Sequence, residues 1–123
     1  MSKNNETIVR KIIEKIFGMP LPKRKLIVGY DTKGFPRTHE FDLVSDDGKV
    51  IGEIKSSKSI SETSYKAALA DCLYLIRTQA QKRMLVLTNE EFYKYFKDRA
   101  EGLISSEIDV MLIRTEDYVS QIT

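Results

Sequence analysis

Hydrophobic residues recur at helical spacing in three parts of the chain. Over residues 6–17 they occupy every third or fourth position, and a glycine and a proline then end this first predicted helix. A second helix is predicted to run from a cap at Ser61 or Thr63 to about residue 81. Its predicted buried stripe consists of Tyr65, Leu69, Cys72, Leu73, Ile76 and Ala80.

The C-terminal third of the chain predicts a strand, a helix and a second strand. Residues 84–87 and 108–113 are short hydrophobic runs of strand length, and the first is unbroken, as in strands covered on both faces. The helix between them is predicted to open with a capping box of Thr88 and Glu91 and to end near Gly102.

Between the first two helices the chain alternates hydrophobic and polar residues, which is the period of a β-strand. Residues 25–57 are therefore predicted to form a three-stranded antiparallel meander, with an Asp-Asp-Gly hairpin turn before its last strand. The alternation places Phe41 and Leu43 on one face of the middle strand and Asp42 on the other.

These elements predict one α/β domain spanning residues 1–123. The strand–helix–strand unit that follows the meander predicts parallel pairing of its two strands. The expected fold is a mixed central sheet flanked by helices on both faces. A length of 123 residues suits a single domain with one substantial core.

Composition indicates which binding partners and which cellular compartment to expect for the protein. The net charge is only +2, so any binding of nucleic acid would depend on a local basic patch. Cys72 is the only cysteine, which excludes an internal disulfide and favours a reducing, cytoplasmic location. No secretory signal or hydrophobic run of membrane-spanning length is present, so we expect no membrane association.

Three charged residues of the meander are candidates for metal chemistry. Glu53 and Lys55 share one face of the third strand, and one arrangement of the hairpin brings Asp42 beside them. Two carboxylates and an ammonium group suit a divalent metal bound beside a positioned water. The simpler interpretation is that Glu53 and Lys55 are ordinary polar residues on a solvated face.

This order of elements, with these residues, resembles the PD-(D/E)xK nuclease superfamily. The superfamily includes archaeal Holliday junction resolvases, many restriction endonucleases and uncharacterised archaeal nuclease-like proteins. Phe41-Asp42 takes the place of the Pro-Asp of the family pattern, with phenylalanine in place of proline, and Glu53-Ile54-Lys55 takes the place of (D/E)xK. The resemblance implies a restriction-endonuclease-like αβββαβ core, followed here by a C-terminal αβ extension.

The resemblance implies an endo- or exonuclease that hydrolyses the phosphodiester bonds of DNA, with RNA as a further possible substrate. It implies Mg²⁺ or Mn²⁺ held by Asp42, Glu53 and the main-chain carbonyl of Ile54. Lys55 would orient or deprotonate the attacking water and neutralise charge on the reacting phosphate.

Many members of the superfamily also carry a glutamate on the first helix. Glu6 is the best match by helix position and face, and Glu14 is the second candidate. If Glu6 joins the site, two metal ions could be bound. The ordinary role of Glu6 is that of a carboxylate favoured by the helix dipole in the first turn.

Four basic residues are candidate contacts for a phosphate backbone. Lys33 and Arg37 lie at the first loop of the meander, and Lys58 and Lys66 follow the strand that carries the candidate lysine. Such residues are more often simply solvated. The single histidine, His39, shares the predicted face of Phe41, and we expect it to be structural.

The alternative to an enzyme is a binding module. A nuclease-like fold could hold nucleic acid or a protein partner without cleaving anything. Enzymes of this superfamily often dimerise to reach two strands, so a homodimer is a further expectation.

Overall fold

The computed structural model describes residues 3–118 of the chain, with side chains from residue 5 onward. Its elements are α1 (Lys3–Phe17), β1 (Arg24–Tyr30), β2 (Pro36–Phe41), β3 (Leu43–Val44), β4 (Val50–Lys55), α2 (Glu62–Ile76), β5 (Lys82–Leu87), α3 (Glu90–Ala100), β6 (Ile108–Leu112) and a 3₁₀ turn (Thr115–Tyr118). The protein is a mixed α/β structure, as predicted. Within these residues, no helix has the length and hydrophobicity needed to cross a lipid bilayer.

The strands of the described region form two sheets. β1 and β2 pair antiparallel as a separate two-stranded sheet, which we call the arm. The main sheet has the order β3-β4-β5-β6. β3 is antiparallel to β4, whereas β4, β5 and β6 are parallel, so the predicted mixed sheet and parallel C-terminal pair are confirmed.

The predicted continuous meander is wrong at its middle strand, because that strand is interrupted at Asp42. The main-chain N–H of Asp42 donates to Glu53 Oε1 at 3.1 Å, and its carbonyl accepts from Arg10 Nη2 at 3.0 Å. Both backbone groups are thus bonded to side chains instead of a neighbouring strand. The chain pairs with β1 before this residue and with β4 after it.

The interruption also overturns the predicted shared face of Phe41 and Leu43. Phe41 packs in the core beneath α2 and α3, whereas Leu43 packs in the core beneath α1. One residue outside the strand pattern shifts the phase of the alternation, which moves the following side chains to the other face.

Helices cover both faces of the main sheet, as the sequence predicts. On one face the buried core consists of Val9, Ile12, Ile13, Leu21, Leu43, Ile54, Met84, Val86 and Ile113. The core on the other face includes Phe41, Val44, Ile51, Tyr65, Ala68, Leu75, Leu85, Leu87, Phe92 and Phe96. Successive residues of β4 therefore face different helices: Ile54 packs towards α1, and its neighbours Glu53 and Lys55 face α2.

The second helix is shorter than predicted, and its buried face only partly matches the predicted stripe. It ends at Ile76 and not near residue 81, and the predicted core residue Leu73 is 62% exposed. Asp71 and Leu75 are buried in its place, while Cys72 is buried as expected. Alanine and leucine occur around most of this helix, so hydrophobic spacing alone did not define its buried face.

The structure decides between the candidate helix caps. Ser61 caps α2 by accepting from Ser64 N, so the first of the two predicted caps is the correct one. The capping box predicted at Thr88 is wrong. Asn89 caps α3 by accepting from Phe92 N at 2.9 Å, because the helix begins one residue later than the pattern indicated.

Gly52 lies next to Glu53, where β4 packs closely between its neighbours. A Cβ atom at this position would stand 3.0 Å from Leu43 Cδ1 and 3.2 Å from the carbonyl oxygen of Met84. We expect Gly52→Ala to lower the free energy of unfolding by about 1–3 kcal/mol through overpacking, as measured by chemical denaturation.

Gly29→Ala in the arm is the matched control, because its added Cβ would meet Arg77 Nη2 at an ordinary 3.5 Å. We expect this change to stay within about 0.5 kcal/mol of the parent protein. A Gly52→Ala variant as stable as the parent would contradict the close approach of the strands.

Candidate functional site

Four carboxyl groups meet around the interruption between β2 and β3. They belong to Glu6 of α1, Asp42 at the interruption, Glu53 of β4 and Asp71 of α2, and we call them the acidic cluster. The side chains of Glu6 and Asp42 lie within hydrogen-bonding reach, as do those of Glu53 and Asp71. A hydrogen bond from Asp42 N–H to Glu53 links the first of these pairs to the second.

The α1 side of the cluster contains Asp42 and Glu6. Asp42 Oδ2 accepts a hydrogen bond from Ile54 N at 2.8 Å, which fixes the carboxyl group against the backbone of β4. Lys23 Nζ lies 3.8 Å from Asp42 Oδ1 and 3.4 Å from Glu6 Oε2. One ammonium group is thus shared between two carboxyl groups.

The α2 side of the cluster contains Glu53 and Asp71. Glu53 is only 5% exposed, and its Oε2 lies 3.2 Å from His39 Nε2. Lys55 Nζ lies 3.1 Å from Asp71 Oδ2. Glu53 and Lys55 therefore share the α2-facing side of β4, in agreement with the strand alternation. The lysine, however, is directed at Asp71 and not at Asp42.

The crowding of carboxyl groups perturbs their protonation. Burial, followed by the charges of Asp42 and Asp71, raises the pKa of Glu53 to about 9. Burial, reinforced by Glu6 and opposed by the Ile54 N–H, raises the pKa of Asp42 to about 6. The cluster thus concentrates more negative charge than its neighbouring cations neutralise.

Glu6 shows the opposite shift. Burial by itself would raise its pKa, but the hydrogen bond with Asp42 and the charge of Lys23 outweigh this effect and lower it. Of the two carboxyl groups, Glu6 is therefore the one that carries the charge, and Asp42 is the one that more readily holds a proton.

His39 also contacts the acidic cluster, although the sequence predicted only a structural role for it. Its ring stacks on Tyr74, with centroids 4.0 Å apart and planes 9° from parallel, and makes a T-shaped contact with Phe41. Burial lowers the pKa of His39, with a further contribution from Lys55 against the opposing charge of Asp71. Because the imidazole is neutral and the glutamate holds its proton, the contact with Glu53 is a hydrogen bond and not an ion pair.

Asp71 is a further residue of the acidic cluster, and it was not among the residues predicted from the sequence. The available signal was its position three residues after Ala68 and four before Leu75, which places a carboxylate on the buried face of α2. That signal was hidden because the predicted stripe included Leu73, which is exposed, and omitted the face of Asp71 and Leu75.

The other candidate residues lie away from the cluster. Glu14 accepts a hydrogen bond from Leu21 N at 2.7 Å and holds the loop after α1, so the structure brings Glu6 to the site and not Glu14. Lys33 and Arg37 are exposed on the arm. The remaining two predicted phosphate contacts, Lys58 before α2 and Lys66 on it, are also exposed.

Basic residues that the sequence did not single out flank the α1 side. A cleft of about 400 Å³ is lined by Glu6, Thr7, Arg10, Pro22 and Lys23. Arg10 bonds the Asp42 carbonyl through Nη2, while its Nε is buried and makes no hydrogen bond within the described residues. Two cations thus stand beside the carboxyl groups, where an anion could approach.

Comparison of the chain with protein-family models, with curated proteins and with solved structures found no match. The inference of function therefore rests on the geometry and electrostatics of the acidic cluster.

We expect Glu53 to make the metal-free protein less stable as the pH rises. Its pKa is about 9 in the folded protein against an ordinary 4.5, so the folded state keeps a proton that the unfolded state has released. Stability therefore falls progressively between about pH 4.5 and pH 9. The measurement is the melting temperature across this range in the presence of a chelator.

Glu53→Gln should flatten this dependence, because an amide at position 53 cannot titrate. Glu14→Gln is the control and should keep the parent profile, since it lies outside the cluster. A parent protein whose melting temperature rises steadily from pH 5 to pH 9 would refute the assignment.

Proposed function

We propose that the protein is a metal-dependent nuclease that hydrolyses phosphodiester bonds of nucleic acid, with DNA as its substrate and RNA as the second candidate. The observation that carries this proposal is the pair of hydrogen bonds at the strand interruption. Asp42 N–H donates to the Glu53 carboxyl group, and the Asp42 carboxyl group accepts from Ile54 N. We further propose that the fold is a restriction-endonuclease-like core in which the first strand pair has separated as the arm. A cytoplasmic location and a homodimer belong to the same proposal.

The donor set fits a hard divalent cation such as Mg²⁺ or Mn²⁺. These ions prefer oxygen ligands, and Asp42 and Glu53 supply two carboxyl groups in adjacent positions. The N–H and C=O groups of one strand residue project to the same edge of the strand. Because Ile54 N bonds Asp42, the carbonyl of Ile54 points to the same side and would supply a third oxygen ligand.

The raised pKa values of Asp42 and Glu53 support the same assignment. Each value reports that charge on the carboxyl group is unfavourable in the cluster without a further cation. A bound divalent ion would stabilise both carboxylates, neutralise the reacting phosphate and favour ionisation of water. Glu6, within reach of Asp42, is the carboxylate placed to assist from α1.

The remaining residues have positioning roles in this proposal. Lys55 would orient the attacking water and balance negative charge on the reacting phosphate, and Asp71 orients the lysine through the 3.1 Å ion pair. Arg10 and Lys23, beside the cleft on the α1 side, would contact phosphate oxygens of the bound strand. Lys33, Arg37, Lys58 and Lys66 would contact the backbone farther from the cut.

One observation favours the alternative of a non-catalytic binding module. Lys55 is paired with Asp71 and not with Asp42, so the lysine has a structural partner that satisfies its charge. A module of this kind would keep the acidic cluster and bind nucleic acid or a protein without turnover.

We expect Asp42→Asn, Glu53→Gln and Lys55→Met each to lower the cleavage rate by about 100-fold or more. The asparagine keeps an oxygen that can accept from Ile54 N, so the loss would report charge and not misfolding. Cleavage should be measured with Mg²⁺ or Mn²⁺ on supercoiled, linear, single-stranded and branched DNA, and on RNA.

Glu14→Gln is the matched control on α1 and should cut at the parent rate. Undiminished metal-dependent cleavage by Asp42→Asn would exclude this site. A parent protein that binds these substrates but cuts none of them with either metal would establish the binding module instead.

The arm is expected to contribute affinity through its exposed basic residues. In the double variant Lys33→Met and Arg37→Met, loss of two phosphate contacts should reduce the slope of log affinity against log salt by about 2. Fluorescence anisotropy with labelled duplex measures this slope. Lys94→Met on α3, an exposed lysine outside the arm, is the control. An unchanged slope in the double variant would remove the arm from the interface.

A further inference from the structure

The α2 side of the acidic cluster brings together a second set of metal-binding side chains. His39, Glu53 and Asp71 each offer one ligand atom, and these atoms all lie within 4.8 Å of one another. Only Glu53 belongs to the ligand set of the proposed nuclease site. The other two come from β2 and α2, so residues far apart in the sequence converge here through the fold.

The surrounding structure holds these side chains in place. Glu53 and Asp71 are 5% and 7% exposed. The imidazole of His39 is held by stacking on Tyr74 and by a T-shaped contact with Phe41. Asp71 and Tyr74 lie one helical turn apart, so α2 provides both a ligand and the ring that orients the histidine. Ligands fixed in this way are preorganised for an ion.

The bonding of Asp71 indicates a cation position at this site. Its Oδ2 is buried and forms no hydrogen bond of acceptable geometry with any described residue. The ammonium group of Lys55 lies 3.1 Å from this oxygen. A buried carboxyl group that has one oxygen within 4.8 Å of two further ligand atoms, and an oxygen without a hydrogen bond, is suited to receive a metal ion.

We propose that His39, Glu53 and Asp71 bind a divalent transition metal, with Zn²⁺ preferred over Mg²⁺. Imidazole nitrogen suits Zn²⁺, whereas an all-oxygen set suits Mg²⁺. The α1 and α2 sides of the cluster thus take different classes of cation, with Glu53 able to serve both. This inference rests on the proposed function only where it assigns Mg²⁺ or Mn²⁺ to the nuclease site. Zn²⁺ binding itself is measured without nucleic acid.

Lys55 competes with the metal at Asp71. An ion bound by Asp71 displaces the ammonium group from its 3.1 Å contact. The freed lysine can then turn along β4 towards the proposed catalytic carboxylates. Lys55→Met should therefore bind Zn²⁺ more tightly than the parent protein, because the resident cation is absent.

The first measurement uses the protein without an affinity tag. His39 is the only histidine of the chain, so its imidazole resonances in an NMR spectrum report on this site alone. Titration with Zn²⁺ should shift or broaden these resonances at a stoichiometry of one, and Mg²⁺ at the same concentration should leave them in place. Imidazole resonances that do not respond to saturating Zn²⁺ would overturn the proposal, whatever the variants do.

The second measurement compares Zn²⁺ affinities by calorimetry. His39→Phe keeps an aromatic ring for stacking on Tyr74 but removes the nitrogen ligand, and Asp71→Asn removes a charged ligand. Each should weaken binding by about tenfold or more. Asp42→Asn, on the other side of the cluster, should bind Zn²⁺ at least as tightly as the parent protein.

These results separate the two proposals. Zn²⁺ binding that survives in Asp42→Asn but is lost in His39→Phe supports the second site, even if no nucleic acid is ever cut. Parent-like Zn²⁺ affinity in a folded His39→Phe variant, with circular dichroism as the check, would show adventitious binding only and refute the site. Weaker binding by Lys55→Met would also count against it.

Discussion

The organisation of the protein depends on the two hydrogen bonds between Asp42 and β4. The Asp42 carboxyl group accepts from Ile54 N, and the Asp42 N–H donates to the Glu53 carboxyl group. Side chains here take the positions that ladder bonds would occupy in a regular sheet. The strand is interrupted, the arm separates from the main sheet, and two acidic side chains are drawn together. The division of the strands into two sheets and the approach of the two acidic residues thus both depend on these hydrogen bonds.

The same interruption divides the acidic cluster between two helices. On the α1 side, Glu6 and Asp42 share the ammonium group of Lys23. On the α2 side, Glu53 meets His39, and Asp71 meets Lys55. These cations neutralise the cluster only in part, and the pKa values of Asp42 and Glu53 are raised to about 6 and about 9. In the two proposals, a bound cation would displace protons from these acids, and the donor atoms on each side would determine which cation is preferred.

Much of the fold could be predicted from local patterns. The three helices, the turn before β4 and the parallel C-terminal strands follow from spacing and turn residues, and the packing of helices on both faces follows from them. The errors arose where local signals conflict. Hydrophobic residues surround α2, so its spacing could not show that Leu73 is exposed and Asp71 buried. The phase of β3 was mispredicted because alternation assumes an unbroken strand, and the bond that breaks it comes from a residue distant in sequence.

The sequence by itself determined that Glu53 and Lys55 share a face and that Asp42 is a candidate to join them. Strand period suffices for this, because it is a local property of the backbone. Glu6 became a candidate only through the resemblance to a nuclease superfamily. Only the tertiary structure decided that Glu6 and not Glu14 reaches Asp42, that Lys55 turns to Asp71, and that His39 lies against Glu53. These contacts join β2, β4 and both flanking helices. Such meetings depend on how the helices pack across the sheet, which no periodicity within a single element encodes.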